Sequence, residues 1–180
     1  MAKIILGFTG EMACGKGTAS QYLAEKHKAN SYRFSTMLRD VLDRLYLDQS
    51  RENMQEISKV LRKNFGEDLM AKVITDDVKN DKGEVVVVDG VRRMADIKYL
   101  GEIPEFKFIY IDVDLETRYE RMKIRNENEG DSEKTLEEFK KEHEQESELQ
   151  IRDLKEKADF VIDNNGSLEE FYSQIEKIIG

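Results

Sequence analysis

A chain of 180 residues with 39% hydrophobic and 37% charged content has room for one domain around a buried core. Its net charge of −9 argues against a task of holding nucleic acid or an anionic membrane surface, so neither is an expected partner. Cys14 is the single cysteine, which excludes an intramolecular disulfide and a cysteine-based zinc cage.

The pattern alternates strands and helices. Lys3 to Phe8 is a short apolar run closed by Thr9 and Gly10 and reads as a buried strand. It is too short for a signal peptide, and nothing in the chain approaches the roughly 20 apolar residues of a membrane span, so a cytoplasmic location is expected. Gly15 to about His27 follows as a helix with Ala19, Leu23 and Ala24 on one face. Ser31 to Ser35 reads as a weak strand, then Thr36 to Leu47 as an amphipathic helix with Met37, Val41, Leu42, Leu45 and Tyr46 inward. Ser50 is a candidate N-cap for a helix that Gly66 ends, and another helix covers Asp68 to Val78.

Glu84 to Asp89 contains four consecutive valines, the β-branched run of a strand covered on both faces in a parallel sheet. A helix over about Arg93 to Leu100, a strand over Phe106 to Asp112 and a helix from Glu116 to about Asn128 come next. Asn126 to Lys157 is dense in Glu and Lys and reads as a loop near Gly130, then a helix entered through a Thr135/Glu138 capping box. Phe160 to Asp163 is the last strand, and Ser167 with Glu170 caps the closing helix. Strands separated by helices imply a three-layer α/β domain spanning residues 1–180.

Gly10-Glu-Met-Ala-Cys-Gly15-Lys16-Gly17-Thr18 lies between the first strand and the first helix. The glycines allow backbone N–H groups to converge on phosphate oxygens, and the helix start adds its positive dipole end. Lys16 reaches the β- and γ-phosphates, and Thr18 is the nearest hydroxyl for Mg²⁺. Asp89, at the end of the valine strand, is a second candidate for the magnesium shell; as a plain strand-end residue it would cap the next turn. Cys14 reads as a small filler side chain.

Arginines suit phosphate because the guanidinium fork binds it bidentately. Arg39 stands one turn into the second helix, Arg92 and Arg93 just past the valine strand, and Arg118, Arg121 and Arg125 along one helix. Arg121 and Arg125 are like charges at i,i+4 and repel unless an anion lies between them. The competing reading is a salt-bridged surface, with Asp114 on Arg118, Glu129 on Arg125, and Asp40 or Asp43 on Arg39.

Together these segments resemble the adenylate-kinase-related nucleoside monophosphate kinases of the P-loop class. Gly15-Lys-Gly-Thr18 is similar to their phosphate loop, Ser35-Thr36-Met-Leu-Arg39 to the acceptor-site helix, and Asp89-Gly90-Val-Arg92-Arg93 to their Asp-Gly-Phe-Pro-Arg segment. Asp112 to Arg125 resembles their strand-to-lid helix. Ala158 to Asn164 with Gly166-Ser-Leu-Glu also resembles dephospho-coenzyme-A kinases and an archaeal branch, which the stretch from Arg51 through Arg62 and Gly66 matches as well. The resemblance departs at Ala13, near where the family carries Gly, at the missing proline after Gly90, and at Ile97, where the adenine-reading glutamine stands.

The resemblance implies a P-loop fold with a five-stranded parallel sheet in the order 2-3-1-4-5, acceptor-binding helices over about 35–80 and a helical lid over about 121–152. It implies transfer of the γ-phosphoryl of ATP, with Mg²⁺, to a small phosphorylated acceptor by a monomer or small homo-oligomer. Residues 10–18 (Gly10, Glu11, Met12, Ala13, Cys14, Gly15, Lys16, Gly17 and Thr18) and Arg121 would hold the donor. Ser35, Thr36, Arg39, Gly90, Arg92 and Arg93 would hold the acceptor; Lys16, Arg121 and Arg125 would be catalytic; Thr18 and Asp89 would face the metal, directly or through water. Two alternatives stay open: transfer to a ribose hydroxyl with Asp89 or a neighbouring Asp as base, or a nucleotide-binding ATPase switch acting through a protein partner docked on 126–157.

Overall fold

The structure, a computed structural model, describes residues 3–125, 132–143 and 146–180, with backbone alone at 51, 142, 143 and 146–149. β1 (Ile4–Thr9), β2 (Asn30–Arg33), β3 (Val85–Asp89), β4 (Phe106–Asp112) and β5 (Phe160–Asp163) form one parallel sheet in the order β2-β3-β1-β4-β5. The order matches the expectation, and it places β1, which feeds the glycine loop, at the centre between β3 and β4.

The valine run shows why the sheet is covered on both sides. Alternate side chains of a strand point to opposite faces. Val85 and Val87 join one apolar layer with Leu6, Phe8, Ile109 and Ile111; Val86 and Val88 join the other with Ile5 and Phe108. The first layer is closed by α1 (Lys16–His27) and α9 (Leu168–Ile179), the second by α2 (Phe34–Arg44) and α4 (Leu69–Asn80). α3 (Arg51–Phe65) packs on the second layer through Met54, Ile57 and Leu61.

Local caps behave as expected. Ser50 Oγ accepts from Asn53 N at 3.2 Å, opening α3. Thr135 and Glu138 exchange bonds of 2.8 and 3.3 Å before α7 (Leu136–His143), and Ser167 and Glu170 do the same before α9.

Four expectations shift. α2 starts at Phe34, two residues early, because Phe34 is buried in the second layer; Leu38 and Leu42 follow it inward, while Leu45 and Tyr46 stand outside the helix and exposed. Ala24 faces solvent, and the buried residues of α1 are Ala19, Ser20 and Leu23. The helix over 93–100 shrinks to one turn, α5 (Met94–Ile97), because the Asp96 carboxylate takes the Arg92 and Arg93 N–H groups and Leu100 turns into the core as a 3-10 turn. The acidic stretch carries two helices rather than one, α7 and α8 (Glu146–Asp153), after α6 (Leu115–Arg125); the expected Gly130 loop lies outside the described residues. Phe139, Ile151 and Leu154 anchor this stretch and are almost fully buried. Among the described residues no helix is long and apolar enough to cross a membrane.

Candidate functional site

The loop after β1 is shaped by backbone that most side chains avoid. Gly10 has φ 141° and its Cα faces the Ile111 carbonyl, so a Cβ built there would lie 2.6 Å from that oxygen. Gly15 has φ 109° and is pressed by the Asn164 side chain. Ala13 also adopts a left-handed φ of 61°, the conformation that a glycine takes without strain. Its alanine therefore departs from the resembled loops at a position whose backbone does favour glycine.

Asn164, directly after β5, is buried and donates its amide to Cys14 O at 2.8 Å, fastening the loop to the far strand. Cys14 is buried and fills the loop's interior. Met12 and Thr18 are half-buried and Gly17 is exposed. Lys16 opens α1, and its amine folds back onto the loop, donating to Gly10 O at 2.6 Å and Glu11 O at 3.1 Å. A phosphate-binding lysine is expected to be solvated before ligand arrives; instead the loop carbonyls, which have no strand partner, satisfy the ammonium.

Glu11 stands among the expected donor-binding residues, but its ion pairs are not legible in the local sequence. An acid inside a phosphate cradle opposes the ligand's charge unless cations neutralise it. Here its carboxylate takes Arg118 Nη2 at 3.1 Å and Arg152 Nε at 2.9 Å. Arg118 is buried, donates Nε to Val113 O at 3.1 Å, and places its guanidinium 6.0 Å from the Phe139 ring centroid. The expected Asp114–Arg118 surface pair is thus replaced by an inward one; Asp114 only accepts the Arg118 backbone N–H, because its carbonyl sits at the helix start. Burial, with Glu11 and Asp112 nearby, pushes the Tyr110 hydroxyl up from its ordinary value.

Arg121, one turn along α6, donates Nη2 to Asn164 O at 2.8 Å. Arg125 lies on the same side of α6, at i+7 from Arg118, but at the helix end, where it is exposed; its expected partner Glu129 lies outside the described residues. Among the described residues, Arg118 Nη1, Arg121 Nη1 and Asn164 Oδ1 are buried without a hydrogen-bond partner. Native proteins rarely leave such atoms unmatched.

Asp89 ends β3 with its carboxylate 3.0 Å from Arg33 Nε, a partner on β2 that the sequence does not single out. The Thr18 hydroxyl makes no hydrogen bond among the described residues. Hydroxyl and carboxylate oxygens are donor types that magnesium takes alongside phosphate oxygens and water; among the described residues no cluster of three or more His, Cys, Asp or Glu exists to hold a metal alone.

The acceptor-side candidates are spread over α2 and the segment after β3. Ser35 is half-buried and Thr36 exposed in the first turn of α2. Arg39 is exposed and donates to Gln49 Oε1 at 2.8 Å, while Gln49 donates to Asp43 at 2.6 Å. The expected direct pair with Asp40 or Asp43 is replaced by this bridge. Gly90 has φ 86° with open space around it. Arg92 is exposed and its side chain has no partner among the described residues; Arg93 is half-buried, 3.5 Å from Glu67 and 3.9 Å from Asp96. Ile97 is buried in the core, so the position of the family's base-reading glutamine faces inward here.

The AAA_17 family, described as an AAA domain, matches residues 9–140. A UPF0200 protein of Staphylothermus marinus is 33% identical over 78% of this chain and 73% of its own length. A UPF0200/UPF0201 protein of Archaeoglobus fulgidus is 30% identical over 97% of this chain but 54% of its own length, so the chain spans about half of that relative. A UPF0200 protein of Thermococcus kodakarensis is 28% identical over 98% of this chain and 96% of its own. Among solved structures, shikimate kinase from Aquifex aeolicus superposes with a TM-score of 0.59 at 17% identity, covering 98% of this chain and 96% of that one. The shikimate kinase of Bacteroides thetaiotaomicron gives a TM-score of 0.57 at 14% identity, covering 97% and 96%. These likenesses show the P-loop kinase fold.

Proposed function

The chain belongs to the UPF0200 family and to the AAA_17 family of AAA domains, and from that premise we propose an ATP-dependent phosphotransferase. It moves the γ-phosphoryl of ATP to a small phosphorylated acceptor of the nucleoside monophosphate kind. The observation that carries this reading is the loop at 10–15, which opens into the N-terminus of α1 with Lys16 beside it. Backbone N–H groups, helix dipole and ammonium there favour one ligand class, a polyphosphate.

Lys16 exchanges the Gly10 and Glu11 carbonyls for phosphate oxygens, a charge-assisted and therefore stronger bond. The unmatched Nη1 donors of Arg118 and Arg121 are the remaining cationic groups for charge on the donor phosphates. Thr18 and Asp89 would hold Mg²⁺, which when bound neutralises phosphate charge. Arg39 and Arg93 hold the acceptor in line, and positioning with electrostatic stabilisation supplies the catalysis. A phosphate acceptor needs no protein base.

The test is transfer of labelled γ-phosphate from MgATP to a panel of nucleoside monophosphates, with dephospho-coenzyme A and no acceptor as two further arms. Labelled nucleoside diphosphate is the expected product. Transfer to dephospho-coenzyme A alone would move the reaction to a ribose hydroxyl, and acceptor-independent release alone would make the protein an ATPase.

A further inference from the structure

Arg62 lies in the last turn of α3 with only 11% of its side chain exposed, and no role is given to it by the reading above. Its donors have weak or neutral partners: Nε to Ser58 Oγ at 3.4 Å, Nη1 to the Glu67 carbonyl at 2.7 Å, and Nη2 to the Met70 sulfur at 3.9 Å. Its nearest carboxylate oxygen is Glu67 Oε2 at 3.9 Å, and the same oxygen is 3.5 Å from Arg93 Nη1. Two guanidinium groups from different segments, α3 and the loop after β3, thus converge on one oxygen. Burial, and then Arg93 alongside, push the Arg62 guanidinium below its ordinary value.

Asp96 and Glu67 offset that effect only in part. Glu67 is 71% exposed, and a solvated carboxylate at these distances contributes little. The helix C-terminus favours Arg62 as a cation, but it does nothing for Arg93. Asp96 sits 3.9 Å from Arg93 Nε, with its other oxygen already holding the Arg92 and Arg93 N–H groups. Two like charges beside a mostly buried site call for an anion that both forks can grip, carrying more charge than one carboxylate. Arg93 lies just past the C-terminal end of β3, the side of an open parallel sheet where ligands bind.

We propose that Arg62 and Arg93 form the receptor for the acceptor's dianionic phosphate group, and that Glu67 is a tethered carboxylate competing for the same two guanidinium groups. The phosphate displaces Glu67 outward into water, where its exposure shows it has room. This rests on the phosphotransferase reading, since it assigns the acceptor end of that site.

The test saturates the cradle with a non-hydrolysable MgATP analogue and measures binding of inorganic phosphate by ³¹P line broadening. Wild type, Arg62→Met, Arg93→Met and Glu67→Gln are compared, with melting temperature read for each. Either arginine variant should weaken phosphate at least tenfold while analogue affinity stays within twofold. Glu67→Gln should tighten phosphate several-fold, because the competitor is gone; a merely structural ion pair predicts no tightening. Acetate at equal concentration should bind more weakly than phosphate in all four proteins. Unchanged or weakened phosphate binding in Glu67→Gln, or acetate binding above phosphate, overturns the assignment, and Glu67→Gln decides it even where Arg62→Met does not fold. Wild type that fails to take the analogue overturns the phosphotransferase reading instead.

Discussion

The cations of the phosphate loop and those of the α2–α3 face are held in different ways. Around the loop, Lys16, Arg118 and Arg121 are buried or half-buried, and each bonds a group fixed by the sheet: loop carbonyls, the Glu11 carboxylate, the Asn164 carbonyl. On the other face, Arg39 reaches a neutral amide, Arg92 is exposed, and Arg93 faces an exposed acid. Positive charge near the loop is therefore part of what the core is built on. Charge on the acceptor side is borne, except at the mostly buried Arg62, by groups the fold does not need. Substitutions on the first side should cost both stability and binding, and those on the second mainly binding.

Arg118→Met puts this to its hardest test. It leaves the Glu11 carboxylate, 12% exposed, with Arg152 alone, and removing one partner of a buried pair costs about 3–5 kcal/mol. Urea denaturation should show that loss, and Glu11→Gln in the same chain should recover part of it. A loss below about 1 kcal/mol would place Arg118 with the dispensable cations.

Lys16→Ala comes next. Turnover should fall about 10²–10³-fold, the scale for removing one preorganised donor to transition-state charge. Because the amine also satisfies two loop carbonyls, stability should drop by about 1–2 kcal/mol. The rise in melting temperature given by MgATP should shrink in parallel. A folded variant with near-normal turnover would sink the cradle assignment.

On the acceptor side, Arg39→Ala should lower kcat/KM for the acceptor by about 1.5–3 kcal/mol, the scale of a hydrogen bond to a charged group. Stability should move by only a few tenths of a kcal/mol, since an exposed bridge to Gln49 is all that is lost. Unchanged acceptor kinetics would remove Arg39 from the site.

The smallest effect concerns Asp68, beside Glu67 at the start of α4. The Tyr99 hydroxyl first, then Lys72, hold its carboxyl at about 2, below its ordinary 3.8. With a depressed folded value, its contribution is present above about pH 4 and is lost as pH falls through 2. Tyr99→Phe should move the carboxyl, followed by ¹³C NMR, upward toward 3.8, so that less stability depends on pH across that window. An unmoved titration would mean that the lysines Lys72 and Lys98 set it without the tyrosine.

Features closed by neighbours in the chain were legible from the sequence. The Ser50, Thr135 and Ser167 caps, the helix stop at Gly66 and the cradle at 10–15 are decided by side chains and φ angles within a few residues. The valine run likewise reads as a strand covered on both faces, since no other environment suits four β-branched apolar residues in a row. The helix over 93–100 is shorter than its apolar spacing implies because its boundary depends on where the Asp96 carboxylate turns, and that spacing carries no trace of it.

The partners of the charged side chains were decided by the tertiary structure alone. Glu11 meets Arg152 across 141 residues, and Asn164 reaches Cys14 across 150. Arg33 finds Asp89 only because β2 lies beside β3, and Arg62 meets Arg93 only because α3 ends near the loop after β3. Residue type and spacing show that phosphate-binding cations are present. Which of them are buried, and which acid neutralises each, follows from strand order and packing, because desolvation and ion pairing depend on distances that only the folded chain sets.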